Sequence, residues 1–195
     1  MKRAVLATFA AASIVLAGCQ GAAGDDAVAV GGTFQFHSPG GQTDIFYAED
    51  ERAPIQNLQG EWLQELDQQK TLDLAEYEGQ VVVLNAWGQW CGPCRSESDD
   101  LQEVHEHLQS TNQGTVLGIN VRDYNPDISM DFLTDNGITY PSLYDPPFKT
   151  AALLGGVPAS VVPTTIVLDK QHRPAAVFLR EITAADVIAV TDTLA

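Results

Sequence analysis

A buried strand that runs directly into a pair of cysteines and a helix most constrains how this chain can fold. Residues 81–87, VVVLNAW, form an uninterrupted β-branched and apolar run, the pattern of a strand covered on both faces. Cys91 and Cys94 follow, and Pro93 stands at the start of a helix predicted over residues 93–109. The sequence therefore predicts two thiols at a strand–helix junction of an α/β fold.

The other segments predict a central mixed sheet flanked by helices. Further strands are expected at residues 115–121, 163–169 and 174–180, and further helices at about residues 127–136 and after Thr183, the expected N-cap. Parallel strands alternate with helices first, and a hairpin ends the sheet. Upstream, residues 33–48 alternate apolar and polar around PGGQ, which predicts an N-terminal β-hairpin connected through residue 53 to a main domain over 54–195.

The start of the chain has the pattern of an export signal. Two basic residues, Lys2 and Arg3, precede an apolar run that is too short for a comfortable membrane span. The motif LAGC, ending at Cys19, resembles the lipobox of bacterial lipoproteins. The resemblance implies that residues 1–18 are removed, that Cys19 is lipidated, and that residues 19–32 form a flexible tether. The alternative of a buried core helix is disfavoured by the basic start and the Gly/Ala-rich segment that follows.

Charge and cysteine content limit the partners and the redox chemistry. The formal net charge of −16 becomes −18 once the two basic residues of the signal are removed, because residues 1–18 carry no acid. So acidic a surface repels nucleic acid and anionic lipid. The simplest interpretation of the excess acidic residues is that they form a solvated surface. If Cys19 carries lipid, Cys91 and Cys94 are the remaining thiols in an oxidising compartment, where they pair with each other or stay free.

The position of Cys91 favours its thiolate. Unpaired N–H groups and the helix dipole at a helix N-terminus stabilise an anion, which lowers the pKa of a cysteine placed there. Gly92 allows a tight turn and Pro93 fixes the backbone angle. Cys94 lies one helical step further on, and we expect it to be more buried, to stay protonated and to attack the mixed disulfide that Cys91 forms.

The motif WCGPC, Trp90 to Cys94, resembles the thioredoxin active site. The later motif VVPTT, in which Pro163 opens a strand, resembles the cis-proline loop of that family. In the family this loop faces the two thiols and offers backbone groups to an extended substrate. The resemblance implies a thioredoxin fold over residues 54–195 and a substrate groove lined by Trp90, Val162, Pro163 and Thr164.

A closer resemblance is to the exported TlpA/ResA-like branch. Asn85 stands where cytoplasmic thioredoxins have a buried Asp, and Glu97 stands where that branch places an acid beside the thiols. Asn85 takes no proton from Cys94, so proton transfer would fall to Glu97 or to water. A carboxylate near Cys91 would also oppose its thiolate. The structural alternatives are a helix-stabilising acid for Glu97 and a hydrogen-bonded core amide for Asn85.

The resemblance implies a membrane-tethered, extracytoplasmic thiol–disulfide oxidoreductase that attacks with Cys91 and resolves with Cys94. The expected substrates are disulfides of exported proteins, with apocytochrome c in haem attachment as one candidate, and a membrane thiol donor would supply electrons. Two alternatives stay open: a disulfide oxidase or isomerase, and a lipoprotein that binds a partner without catalysis.

Other chemistries are disfavoured, and no cofactor is predicted. A structural metal site needs four ligands, and His105 and His107 are two residues apart on a helix, so they face different directions. A peroxidase of the peroxiredoxin type needs a Pro-x-x-x-Thr-x-x-Cys lead-in, and NAWGQW before Cys91 has no Thr.

Overall fold

A computed structural model describes residues 32–195 of the chain. The predicted signal peptide, the lipidation of Cys19 and the tether up to residue 31 lie outside these residues. Within the described range, no helix combines the length and the apolar character that crossing a bilayer requires.

Residues 32–195 form strands, α-helices and short 3-10 segments. The strands are β1 (Asp44–Phe46), β2 (Gln59–Glu61), β3 (Thr71–Asp73), β4 (Val81–Trp87), β5 (Gly114–Asn120), β6 (Ser142–Tyr144), β7 (Thr164–Leu168) and β8 (Pro174–Phe178). The α-helices are α1 (Gly92–Ser96), α2 (Ser98–Ser110), α3 (Pro126–Asp135) and α4 (Ala184–Thr191). The 3-10 segments are Pro39–Gly41, Glu49–Glu51, Leu63–Gln68, Leu74–Tyr77 and Lys149–Leu153.

A six-stranded mixed sheet in the order β1-β8-β7-β4-β5-β6 organises the fold. Strand β4 runs parallel to β5, and β5 runs parallel to β6, whereas β7, β8 and β1 add antiparallel neighbours. Strands β2 and β3 form a separate antiparallel pair. The predicted α/β class with a central mixed sheet is confirmed. Trp87 and Asn120 are register partners at the C-terminal ends of the parallel strands β4 and β5. The segments that follow the two strands therefore start side by side at the same end of the sheet.

The two faces of the sheet are covered differently. All four α-helices contribute to the core on one face, where Leu101, Val104 and Leu108 of α2 are at most 1% exposed. The other face is packed by the N-terminal segment and by the 3-10 segments Leu74–Tyr77 and Lys149–Leu153, through residues such as Phe34 and Ala151. Every residue of β4 and β5 is buried, which explains their continuous apolar patterns.

Gly114 begins β5 directly opposite Val81. A Cβ atom at this position would overlap the Val81 carbonyl oxygen. The close approach of the two backbones therefore requires glycine here.

The N-terminal hairpin predicted over residues 33–48 is wrong. The Phe34 N–H donates to the carbonyl of Pro54 (3.0 Å), and the Phe36 N–H donates to that of Gly155 (2.7 Å), while β1 pairs with β8. Between the two arms, the Phe34 and Tyr47 rings pack edge to face with centroids 5.3 Å apart. The alternation of apolar and polar residues correctly indicated segments with one buried face. It did not indicate their backbone partners, which are strand β8 for one arm and loop residues for the other.

The helix after the cysteines is interrupted. The predicted single helix over residues 93–109 is two helices, α1 and α2, divided at Glu97, where φ is −86° and ψ is −2°. The prediction for the C-terminal helix is confirmed, because the Thr183 hydroxyl accepts from the Asp186 N–H (3.3 Å) in a capping box.

Candidate active site around Cys91 and Cys94

Cys91 and Cys94 form a disulfide where β4 gives way to α1. Cys91 is the N-cap of α1, and its Sγ accepts a hydrogen bond from the Cys94 N–H at 3.2 Å. This confirms the predicted helix N-terminal position of Cys91. Gly92 and Pro93 are the exposed first two residues of α1.

Both cysteines are buried in this oxidised state, and the greater burial of Cys94 as a free thiol stays a prediction. The exposed fractions are 4% for Cys91 and 3% for Cys94, and both belong to the core cluster on the helical face. Closing the pair places the two sulfur atoms side by side under the same cover, so burial does not distinguish them.

The cis-proline loop predicted from VVPTT lies against the cysteines. The Val162–Pro163 peptide bond is cis, and the Val162 carbonyl oxygen lies 3.7 Å from Cys91 Sγ. Thr164 is buried at the start of β7, and its hydroxyl donates to the Val161 carbonyl at 2.9 Å. Residues from opposite ends of the domain's sequence are therefore brought together at the cysteine pair.

Trp90 projects beside the pair while remaining anchored. Its ring is 43% exposed, and its Nε1–H donates to the Val121 carbonyl at 3.0 Å. The Arg122 guanidinium carbon lies 5.5 Å from the centroid of the same ring, within cation–π range. Trp87, in contrast, is a core residue whose indole donates to the Ser142 hydroxyl (3.3 Å).

Asn85 and Glu97 form a buried polar pair beneath this region. The Asn85 amide donates to Glu97 Oε1 (2.8 Å) and to the Thr165 hydroxyl (3.0 Å), and the Ile182 N–H donates to Glu97 Oε2 (2.9 Å). Neither Asn85 nor Glu97 has exposed surface. The Asn85 Oδ1 atom is buried and has no hydrogen-bond partner among residues 32–195.

Burial raises the pKa of Glu97 to about 7. The hydrogen bonds from Ile182 and Asn85 act in the opposite direction, because they stabilise the carboxylate, and the charges of Glu181 and Asp100 add to the rise. The side chain can therefore take up or release a proton near neutral pH inside the core. Asn85 is the hydrogen-bond partner of this carboxyl group, and the catalytic and helix-stabilising roles of Glu97 both stay predictions.

A third segment, between β5 and α3, completes the surroundings of the site, and the sequence did not predict it. The buried carboxylate of Asp123 accepts from the Gln89 N–H (2.9 Å), the Asn120 amide (2.8 Å) and the Ser129 hydroxyl (2.9 Å). It thereby fixes the backbone just before Trp90. The available signal was the parallel pairing of β4 and β5, since segments following neighbouring parallel strands meet at one sheet edge.

The two histidines of α2 diverge, as predicted. His105 Nδ1 lies 3.3 Å from the Thr115 hydroxyl, whereas His107 Nε2 lies 2.9 Å from an Asp192 carboxylate oxygen. Within residues 32–195, no cluster of three or more His, Cys, Asp or Glu side chains has the spacing to bind a metal ion.

Comparison with known proteins gives strong matches. The model of the AhpC/TSA family matches residues 51–173. The crystal structure of a DsbF homologue from Corynebacterium diphtheriae is 70% identical, with a TM-score of 0.79, over 84% of this chain and 100% of that one. A secreted thiol-disulfide isomerase from Corynebacterium glutamicum is 64% identical, with a TM-score of 0.81, over 84% of this chain and 98% of that one.

A more distant relative points to the same group. The thiol-disulfide oxidoreductase ResA of Geobacillus thermodenitrificans is 28% identical over 116 residues, which are 58% of this chain and 63% of ResA. The predicted kinship with exported thiol–disulfide oxidoreductases is thus confirmed. The chain belongs to the AhpC/TSA family of the thioredoxin superfamily, where its relatives include thiol–disulfide oxidoreductases of the ResA and DsbF type.

Proposed function

We propose that this protein is an extracytoplasmic thiol–disulfide oxidoreductase acting on disulfides of exported proteins. The observation that carries the proposal is the bonded Cys91–Cys94 pair at a helix N-terminus, with Cys91 Sγ beside the Val162 carbonyl. Family membership and two relatives above 60% identity support the same activity.

In the proposed reaction, the reduced protein passes two electrons to a substrate disulfide. The Cys91 thiolate attacks one substrate sulfur, which forms a mixed disulfide and expels the other sulfur as a thiolate. Cys94 then loses its proton and attacks Cys91 Sγ, which closes the protein disulfide and releases the first substrate sulfur as a second thiolate. The two thiolates take up protons, so one substrate disulfide becomes two thiols.

The remaining predicted residues have supporting roles in this proposal. Glu97 exchanges the proton of the resolving step, and Asn85 holds its carboxyl group through the 2.8 Å hydrogen bond. Trp90, Val162, Pro163 and Thr164 line the groove for the substrate segment. Gly92 and Pro93 shape the turn between the two cysteines.

We propose reduction as the physiological direction. The support for this direction is the Gly-Pro pair between the cysteines, which is that of the reducing thioredoxins that the motif resembles. The same proposal includes anchoring through lipidated Cys19, a membrane thiol donor, and apocytochrome c as a candidate substrate. Mass spectrometry of Cys19 in membrane fractions tests the anchor, and an unmodified, freely secreted chain would refute it.

The name of the 64% identical relative favours a second candidate, a disulfide isomerase or oxidase. The reduction potential of the Cys91–Cys94 pair against glutathione separates the two. A reduction potential of about −270 mV supports reduction, whereas a potential of roughly −180 to −120 mV supports isomerisation or oxidation. If wild-type protein and Cys91→Ser were equally inactive in insulin reduction, the non-enzymatic binding alternative would be favoured.

Covalent trapping identifies the clients. Cys94→Ala removes the resolving thiol, so mixed disulfides through Cys91 are expected to accumulate and to dissociate on treatment with dithiothreitol. The double variant Cys91→Ser/Cys94→Ala is the matched control. An equal yield of reducible complexes from the double variant would contradict the assignment of Cys91 as the attacking thiol.

A further inference from the structure

Arg122 joins three segments around the cysteine pair. Its guanidinium group lies over the Trp90 ring, with 5.5 Å from Cζ to the ring centroid. Its Nη2 donates to the Ala159 carbonyl at 2.6 Å, three residues before Val162, whose carbonyl lies beside Cys91. Its own backbone belongs to the segment after β5. Arg122 thus lies between the exposed tryptophan and the loop that lines the proposed substrate groove.

The backbone of Arg122 is held in a conformation that an arginine rarely adopts. Its φ angle is +58°, in the left-handed region, and its N–H donates to the Pro146 carbonyl at 2.9 Å. Such a conformation persists only where surrounding contacts determine it, and it is common at functional sites. The adjacent Asp123 carboxylate holds the segment from the other side by accepting three hydrogen bonds in the interior.

The positive charge of Arg122 is not neutralised by the described part of the chain. Arg122 is exposed and forms no ion pair with any carboxylate of residues 32–195. By contrast, Arg52, Arg173 and Arg180 each pair with an aspartate. The Ala159 contact uses one guanidinium nitrogen and leaves other guanidinium N–H groups available, and the cation–π contact with Trp90 helps to position the fork that binds carboxylates.

We propose that Arg122 is a specificity-determining residue that binds a carboxylate of the substrate protein, an Asp or Glu side chain near the disulfide that Cys91 attacks. This inference rests on the proposed function and adds the charge of the preferred substrate. It is not evident from the overall charge of −16, which disfavours acidic partners at long range. At about 0.15 M salt the screening length is roughly 8 Å, so a carboxylate in contact with Arg122 senses mainly the local cation.

Turnover of matched peptides tests the proposal. Two disulfide-linked peptides differ only in having Glu or Gln two residues from one cysteine, and a second such pair has the substitution on the other side. The protein reduces each peptide with dithiothreitol as electron source, and kcat/KM is compared. For wild-type protein in at least one pair, we expect the Glu peptide to exceed the Gln peptide by about two- to five-fold, the range of an exposed ion pair.

Variants at two arginines assign the preference. Arg122→Gln is expected to bring the Glu-to-Gln ratio to about one, and Arg122→Lys to retain part of it. Arg95→Gln is the matched control, because Arg95 is an exposed cation of α1 directly after Cys94 and its side chain makes no hydrogen bond within the described residues. The ratio is expected to survive this change, and to fall for wild-type protein at 0.5 M salt as screening strengthens.

The outcomes distinguish the specificity role of Arg122 from the proposed oxidoreductase function. A wild-type ratio of one in both pairs, or a ratio that survives in Arg122→Gln, would overturn the specificity inference while leaving the proposed function intact. Equal losses for the Glu and Gln peptides in Arg122→Gln would show that Arg122 only holds the site together, which also overturns it. Failure of the wild-type protein to reduce any of the peptides would overturn the proposed function itself.

Discussion

Replacing Glu97 by glutamine removes a buried carboxyl group whose pKa lies near 7, and we expect this to change how stability depends on pH. The folded protein binds this proton more tightly than the unfolded chain, where the ordinary value is 4.5. The stabilising contribution is therefore complete below the unfolded pKa and is lost as the pH rises through the folded one. Wild-type stability should fall, relative to the variant, as pH rises toward 8.

The size of the effect follows from the two pKa values. At about 1.4 kcal/mol per pKa unit, the full difference is roughly 3 kcal/mol, and about 2–3 kcal/mol of it falls between pH 5 and 8. Glutamine resembles the protonated carboxyl in needing a hydrogen-bond acceptor. A half-turn of the Asn85 amide would present its unpartnered Oδ1 for this purpose, so the variant can satisfy the site.

The assay is urea unfolding of the oxidised protein, followed by circular dichroism at several pH values from 5 to 8. The quantity compared is the free energy of unfolding of Glu97→Gln minus that of wild-type protein. Glu103→Gln is the control, because Glu103 is an exposed glutamate of α2. A difference for Glu97→Gln that stays constant within about 0.5 kcal/mol over this range would refute the reasoning, since the carboxyl would then titrate alike in both states.

Two further changes test the packing that positions the site. Asp123→Ala leaves two buried donors and one partly buried donor without their acceptor, so we expect a loss of about 2–4 kcal/mol in the free energy of unfolding. Asp127→Ala is the exposed control, and an equal loss in both variants would contradict the role of the network. Gly114→Ala forces a methyl group against the Val81 carbonyl, and we expect the free energy of unfolding, measured with urea, to fall by about 1–3 kcal/mol. If the variant were as stable as the wild-type protein, β4 and β5 would not approach so closely.

Local patterns were sufficient to predict the centre of the fold and of the site. Strands β4 and β5 are buried on both faces, so their apolar runs have few alternative interpretations. Cys91 and Cys94 are joined across a turn whose geometry is set by the residues between them. The Val162–Pro163 segment was found because a short motif marks it, although its proximity to Cys91 depends on the pairing of β7 with β4.

Features that depend on distant partners were not predicted. The arms of residues 33–48 alternate like a hairpin, but their backbone partners lie at Pro54, Gly155 and β8. The interruption of the helix at Glu97 also escaped prediction, because it accompanies a buried contact with the Ile182 N–H, 85 residues further along the chain. No local sequence pattern marks Arg122 either, because its contacts with Trp90 and Ala159 are formed only in the tertiary structure.

The pairing of β1 with β8 has a consequence for how the protein meets other, unfolded chains. Strands β1 and β6, which close the two sides of the six-stranded sheet, are each three residues long. A long edge strand has many unpaired backbone N–H and C=O groups, with which strands of other chains can pair and aggregate. Edge strands of three residues present few such groups. A chain that handles other proteins while they are still unfolded, as the proposed function requires, is thereby protected from coaggregating with them.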